Sequence, residues 1–325
     1  MLTTVGLEPS SNTRALPTKP GYLPMPRQLP LLPLTLLRMS SFFEPSTILI
    51  SSRRVWDTHS GEEMYAIQHN HIVRAIAFPP NSSSVLATGG NEKKLRIFNF
   101  DRVAPPPSTN GSTDAIIKAE SGIEIGPGVH QGTIKSIVWT QDPTILVTAA
   151  DDKIIRWWNL GTQSVFKELV VQGEVGSCEF TNVKGEINDI GGGLPVLTIA
   201  AGRTVYFFGG PDATQLLKSV VLPYDVASVA LHPSQRKFIT GGIKDTWAKV
   251  YDYDSEKEIG THPYIFPSFA VSKYKLDVHK GHHGPIWSIS FSPDGKLYAT
   301  GSEDGTIKMW KNCKGPYGLW RADRE

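Results

Sequence analysis

The sequence is poor in the features that staple, anchor or specialise a chain. Only two cysteines, Cys178 and Cys313, stand in 325 residues. That is too few for a disulfide scaffold and fits a reducing compartment, so cytoplasm and nucleus are the expected locations. No apolar run approaches the roughly 18 residues of a membrane span. Charge of one sign is also missing: 33 basic and 31 acidic residues leave a net +2. Neither direct nucleic-acid binding nor a membrane-surface role is expected from that balance. Catalytic signatures are absent too. There is no Gly-x-Ser-x-Gly elbow, and Gly191-Gly192-Gly193 lacks the lysine and spacing of a phosphate loop. Neither His69-Asn70-His71 nor the trio His279, His282 and His283 has a cysteine or carboxylate cluster at ligand spacing. A non-enzyme is expected, with no catalytic residue, metal, cofactor or small-molecule substrate.

What is present is a repeat. KGHHGPIWSISFSPDGKLYATGSEDGTIKMW, residues 280–310, contains a Gly-His pair, a strand, a Pro-Asp-Gly turn, a second strand, an Asp-Gly turn and a third strand ending in Trp. Weaker copies lie upstream. His69, His130 and His282 each stand nine residues before Phe78, Trp139 and Phe291. Second strands end in LATGG (Thr88), LVTAA (Thr148), LTIAA (Thr198), FITGG (Thr240) and YATGS (Thr300). Ten residues after the threonine come Phe98, Trp158, Phe208 and Trp310. Tyr251 comes eleven after Thr240, so that turn is one residue longer. With Trp56, six third-strand signals appear. Repeats of about 40–45 residues with this pattern are WD repeats, and the expected fold is an all-β propeller.

The repeat carries its own polar core. In WD repeats a His, a turn Asp, a second-strand Ser or Thr and a third-strand Trp satisfy one another's buried hydrogen-bonding groups. Here these are His282, Asp304, Thr300 and Trp310, and the last copy is expected to be the only complete one. His69, His130, Asp152 and Trp158 hold matching posts elsewhere. Glu92 and Gly202 stand at the turn position of other copies, which should rest more on apolar packing. Asp152 should cap buried groups, with Asp151 solvated. Loops at one end of a propeller supply its usual docking surface. By position these loops present His71, Asn91, Gln131, Asp151, His283 and Glu303.

The flanks differ. Residues 1–48 are read as a Pro-rich disordered extension, because the first 50 residues hold 8 of the 24 prolines and only two acids, Glu8 and Glu44. The propeller should occupy 49–322, interrupted near 101–128 by a surface loop with one short strand. A second insertion spans 254–279 and carries Tyr264, Phe266, Phe269 and Tyr274, expected to pack back on the propeller.

WDTHSGEEMYAIQHNHIVRAIAF (56–78), ATGGNEKKLRIF (87–98), TAADDKIIRWW (148–158), YDYDSEKEI (251–259) and the terminal GPYGLWR resemble successive pieces of the serine/threonine kinase receptor-associated protein family. The resemblance implies a seven-bladed adaptor within a multi-subunit assembly. The family's setting is the survival-of-motor-neuron complex, with Gemin and Sm proteins as partners and spliceosomal RNP assembly as the task. In animals it also implies association with kinase receptors. The chain departs from the family before Arg53, where a first blade should stand. An incomplete ring is therefore expected, arising from an incomplete reading of the gene. Two alternatives are subunit I of translation initiation factor 3 and a cullin-ligase substrate receptor. The latter is disfavoured because His59, Gly161 and Cys313 stand where such receptors carry Arg.

Overall fold

The computed structural model describes residues 51–56, 63–80, 82–102, 116–260 and 281–313. The extension 1–48, the aromatics of the 254–279 insertion and the terminal YGLW lie outside these residues. The strands follow in chain order. β1 (Ser51–Trp56) and β2 (Glu63–His69) form a hairpin. β3 (Val73–Ala77), β4 (Val85–Gly90) and β5 (Leu95–Asn99) follow, then the short β6 (Ile116–Lys118) and β7 (Ile123–Ile125). β8 (Ile134–Trp139), β9 (Ile145–Ala150), β10 (Ile154–Asn159) and β11 (Ser164–Val170) make one complete meander. β12 (Val175–Phe180), β13 (Leu197–Ala201), β14 (Thr204–Gly209) and β15 (Gln215–Val221) make the next. β16 (Val226–His232), β17 (Lys237–Gly242), β18 (Ala248–Asp252) and β19 (Glu258–Gly260) make a third. β20 (Ile286–Phe291), β21 (Leu297–Ser302) and β22 (Ile307–Lys311) end the described chain.

These strands form six sheets, one for each aromatic third-strand signal read from the sequence. The two insertions are less loop-like than expected. Within 101–128, β6 runs parallel to β2 as the edge of the first sheet, and β7 completes the second sheet beside β5. The 254–279 insertion begins with β19, the outer strand of the fifth sheet. Outer strands need only backbone pairing on one side, so little side-chain alternation marks them in sequence.

Each first strand carries a bulge at the same place: Val73/Ala75, Ile134/Ser136, Val175/Ser177, Val226/Ser228 and Ile286/Ser288. Bulges raise local twist, and small residues there let neighbouring inner strands converge. Ser136 Oγ donates to Cys178 O at 2.8 Å, and Ser228 Oγ donates to Ile286 O at 2.8 Å. Ser177 Oγ accepts from Val229 N at 3.3 Å. Gly176 lies so near the next inner strand that a Cβ would sit 2.3 Å from Ala227 O.

The core is a series of layers between consecutive sheets. Val55 and Ile67 pack with Leu86 and Phe98, and Leu95 and Ala87 with Ile134 and Trp158. Trp157 and Ile155 pack with Ile199 and Phe208, and Phe207 with Val229 and Phe238. Val250 and Ile239 pack with Ile289 and Tyr298. Five buried layers thus join six sheets, and among the described residues none joins the last sheet to the first. The consequence shows on β22. Ile307 is 57% exposed and Met309 50%, whereas Ile155 and Val205, at the post of Ile307 in interior sheets, are fully buried. One face of the last sheet therefore presents apolar side chains to solvent among the described residues.

The fourth sheet corrects the sequence alignment. Thr148 pairs with Arg156, but Thr198 pairs with Phe207, one residue out of step. Gly202, at φ +57°, opens a two-residue loop between Ala201 and Thr204, where glycine relieves the strain of a tight hairpin. In LTIAA the threonine comes one place earlier than in LVTAA, and a one-residue slip turns a side chain to the other face. Thr198 Oγ1 accordingly donates to Glu179 O at 3.0 Å, while Ile199 takes the structural post of Thr148.

Candidate functional site

The polar clusters sit where the chain enters each first strand and where the second strand turns into the third. In the last sheet His282 Nε2 lies 2.7 Å from Thr300 Oγ1, which also accepts the Trp310 indole N–H at 2.8 Å. His282 Nδ1 lies 3.2 Å from Asp304 Oδ2. That carboxylate further accepts from His283 N at 2.8 Å, Thr306 N at 2.9 Å and Thr306 Oγ1 at 2.7 Å. Burial alone would raise the Asp304 carboxyl; the donors from Thr306, His283 and His282 outweigh it and hold it well below the usual range.

The third sheet holds a second complete set, contrary to the expectation that only the last copy has one. Trp158 Nε1 donates to Thr148 Oγ1 at 2.8 Å, and His130 Nε2 lies 3.3 Å from the same oxygen. Here, however, Arg156 is inserted between His130 and Asp152. Its Nη1 is 3.2 Å from His130 Nδ1 and 2.7 Å from Asp152 Oδ2, and its Nε donates to Glu168 at 3.0 Å. Burial, reinforced by the Arg156 charge, pushes the His130 imidazole down to about 4. The ring is neutral at physiological pH, so Nδ1 can accept from the guanidinium while Nε2–H donates to Thr148.

The second sheet varies the theme. Phe98 stands at the place of Trp158, so no indole N–H reaches Thr88, whose Oγ1 has no hydrogen-bond partner among the described residues. His69 meets Phe98 edge-on at 5.8 Å. Glu92 replaces the turn aspartate yet does its work. It accepts from Asn70 N at 2.8 Å and His71 N at 3.3 Å, and pairs with Arg96. This copy was expected to rest more on apolar packing; its turn acid nevertheless makes the same contacts, a longer carboxylate spanning the same gap. In the fifth sheet Tyr224 OH meets Thr240 Oγ1 at 2.6 Å and Tyr251 OH at 3.0 Å, taking over from the His and Trp. Lys249 pairs with Asp245 at 2.9 Å.

Sequence reading missed the basic residue four positions after each turn acid. Glu92/Arg96, Asp152/Arg156, Asp245/Lys249 and Asp304/Lys308 were all visible as a repeated acid-x-x-x-base spacing. The first three are ion pairs, and Lys308 Nζ donates to Gly281 O at 2.7 Å.

The six docking candidates fall into two sets. Gln131 and His283 follow the cluster histidine by one residue and His71 by two, and each gives its backbone N–H to the turn carboxylate; in the second sheet the positional counterpart of Gln131 is Asn70. Asn91, Asp151 and Glu303 precede that carboxylate and donate backbone N–H groups to Ile72 O, Thr133 O and Pro285 O at 2.9–3.0 Å. All six residues are exposed. Asp151, expected to be merely solvated, pairs with Lys135 at 2.5 Å, and Arg74 Nε donates to Asn91 at 3.2 Å. A fixed backbone thus holds these residues at the same end of three sheets. Among the described residues no group of three His, Cys, Asp or Glu side chains could hold a metal.

Stacked, mostly antiparallel sheets, four of them with a polar cluster between strand entry and turn, define a WD-repeat protein of the β-propeller class. The family described as WD domain, G-beta repeat matches residues 61–99, 128–159 and 273–311. The serine-threonine kinase receptor-associated protein of Gallus gallus is 34% identical over 270 residues, covering 83% of this chain and 63% of that protein. The Dictyostelium discoideum protein of the same name is 35% identical over 263 residues, covering 79% of this chain and 72% of that one. Subunit I of translation initiation factor 3 from Culex quinquefasciatus is 26% identical over 275 residues, covering 79% and 74%. The chain belongs to the serine-threonine kinase receptor-associated protein family. It spans 63% of the length of the animal relatives it matches.

Proposed function

We propose that this chain is a non-catalytic adaptor subunit of the survival-of-motor-neuron complex, holding Gemin or Sm-type proteins while spliceosomal RNPs assemble. It works in the cytoplasm and the nucleus. The observation that carries the reading is the identity to serine-threonine kinase receptor-associated proteins over 270 and 263 residues. Beside it stand the exposed His71, Asn91, Gln131, Asp151, His283 and Glu303, held on one rim by buried carboxylates. Such a rim is suited to side-chain recognition, because its backbone is fixed before a partner arrives. A partner meeting it would bury exposed polar groups at their tips, leaving the clusters beneath unchanged.

A second reading, a subunit of translation initiation factor 3, is favoured only by the weaker match to subunit I. Pull-down with purified components separates the two. Capture of Gemin and Sm proteins, weakened by Asp151→Lys with Glu303→Lys, supports the first. Capture of initiation-factor subunits alone overturns it.

A further inference from the structure

At the opposite end of the sheets, away from the rim, a cavity of about 710 Å³ opens between the last two sheets and the exit of β12. The turn after β16 brings His232, Ser234 and Gln235 to it, and β17 brings Lys237. The turn after β20 brings Asp294 and Lys296; the ends of β12 and β22 bring Lys184 and Lys311. Four lysines therefore share one concavity with one carboxylate. That carboxylate is engaged within its own turn, accepting from Ser292 Oγ at 2.6 Å and Lys296 N at 3.1 Å. Among the described residues no carboxylate lies within ion-pairing distance of Lys184, Lys237 or Lys311.

Lys237 is held in place. Its ammonium donates to Asn312 Oδ1, and Asn312 Nδ2 is fixed by Gly295 O at 2.6 Å and Gln235 Oε1 at 3.2 Å. Burial pushes this lysine down to about 8, so its charge is poorly compensated. An arriving dianion would supply what the protein does not. The lining contains no Phe, Tyr or Trp, and its one ring, His232, is buried and meets Phe291 edge-on at 5.2 Å. Stacking platforms for bases are therefore missing, which disfavours single-stranded nucleic acid. The volume exceeds that of a lone phosphate and suits a small group on a peptide.

We propose that this cavity binds the phosphomonoester of a phosphorylated serine or threonine on a partner protein. The site is separate from the docking rim and does not depend on which complex the chain joins.

The test is calorimetric titration of the full chain with four probes: a short phosphoserine peptide, its serine counterpart, inorganic phosphate and an oligouridylate. The phosphoserine peptide should bind saturably at one site, with the serine peptide silent and inorganic phosphate weaker. Lys237→Met and, separately, Lys311→Gln should each weaken that binding about tenfold, the loss of one charge-assisted hydrogen bond. Lys311→Gln lies at a strand end and keeps the Asn312 network, so it reports even if Lys237→Met disturbs folding. Absence of saturable binding at millimolar peptide overturns the proposal. So does equal affinity for inorganic phosphate or oligouridylate, or an unchanged affinity in a folded Lys311→Gln protein.

Discussion

Asp152→Ala is the most informative single change in the polar clusters. The Asp152 and Arg156 side chains are 8% and 4% exposed, with Nη1 to Oδ2 at 2.7 Å. Removing the carboxylate strands a guanidinium that lies against a neutral imidazole and keeps only Glu168, itself half exposed. Breaking a buried pair from one side costs about 3–5 kcal/mol, and the surviving Glu168 contact places this case near 3 kcal/mol. The backbone donors of Gln131 and Ile154 also lose their acceptor, but they lie near the surface and water replaces it. Arg156→Met added to Asp152→Ala removes the stranded charge, so the double variant should recover about 2 kcal/mol. Asp304→Ala provides the contrast. It removes four hydrogen bonds without stranding a guanidinium, and should cost about 1–3 kcal/mol. Urea unfolding of the wild type and these variants reads the differences as midpoint shifts at constant slope. A cost below about 1 kcal/mol for Asp152→Ala, or a double variant less stable than either single one, would refute the electrostatic account.

Other outcomes follow from the same geometry. His130 titrates near 4 folded against 6.5 unfolded, so the unfolded chain binds the extra proton between those values. Its contribution is intact above pH 6.5 and falls as pH drops toward 4, by up to about 3 kcal/mol. A melting temperature flat from pH 7 to pH 4.5, measured calorimetrically, would contradict this. Gly176→Ala should destabilise by about 1–3 kcal/mol, because its methyl meets Ala227 O; an unchanged unfolding midpoint would show that the inner strands spread at no cost. Ile307→Lys should shift stability by less than about 0.5 kcal/mol, whereas Ile155→Lys should prevent folding. Circular dichroism of the pair decides, and equal damage would mean that the face of β22 is covered.

The third strands were legible because each ends in a large aromatic, and the first strands β3, β8 and β20 because each has an apolar end at fixed distance from a preceding histidine, which β12 and β16 lack. The outer strands β6, β7 and β19 were not, since edge pairing leaves little pattern in side chains. The slip at Thr198 was hidden because LTIAA and LVTAA differ only in Ile for Val and in the place of the threonine, and only the tight Gly202 hairpin reveals the register. In the clusters, His282, Thr300, Asp304 and Trp310 could be placed from spacing alone. Arg156 and Arg96 could not be placed by looking for the usual four partners. Their signal was the acid-to-base interval, which acquires meaning only when both side chains share one strand face and one buried gap.

Docking at the rim held by these carboxylates is the proposed work of this chain. Affinity between the purified chain and purified Gemin and Sm proteins, compared with Asp151→Lys/Glu303→Lys, tests it most directly. Saturable binding is expected, weakened at least about tenfold by the paired charge reversal, with the melting temperature unchanged. Full-strength binding by the folded double variant would contradict it.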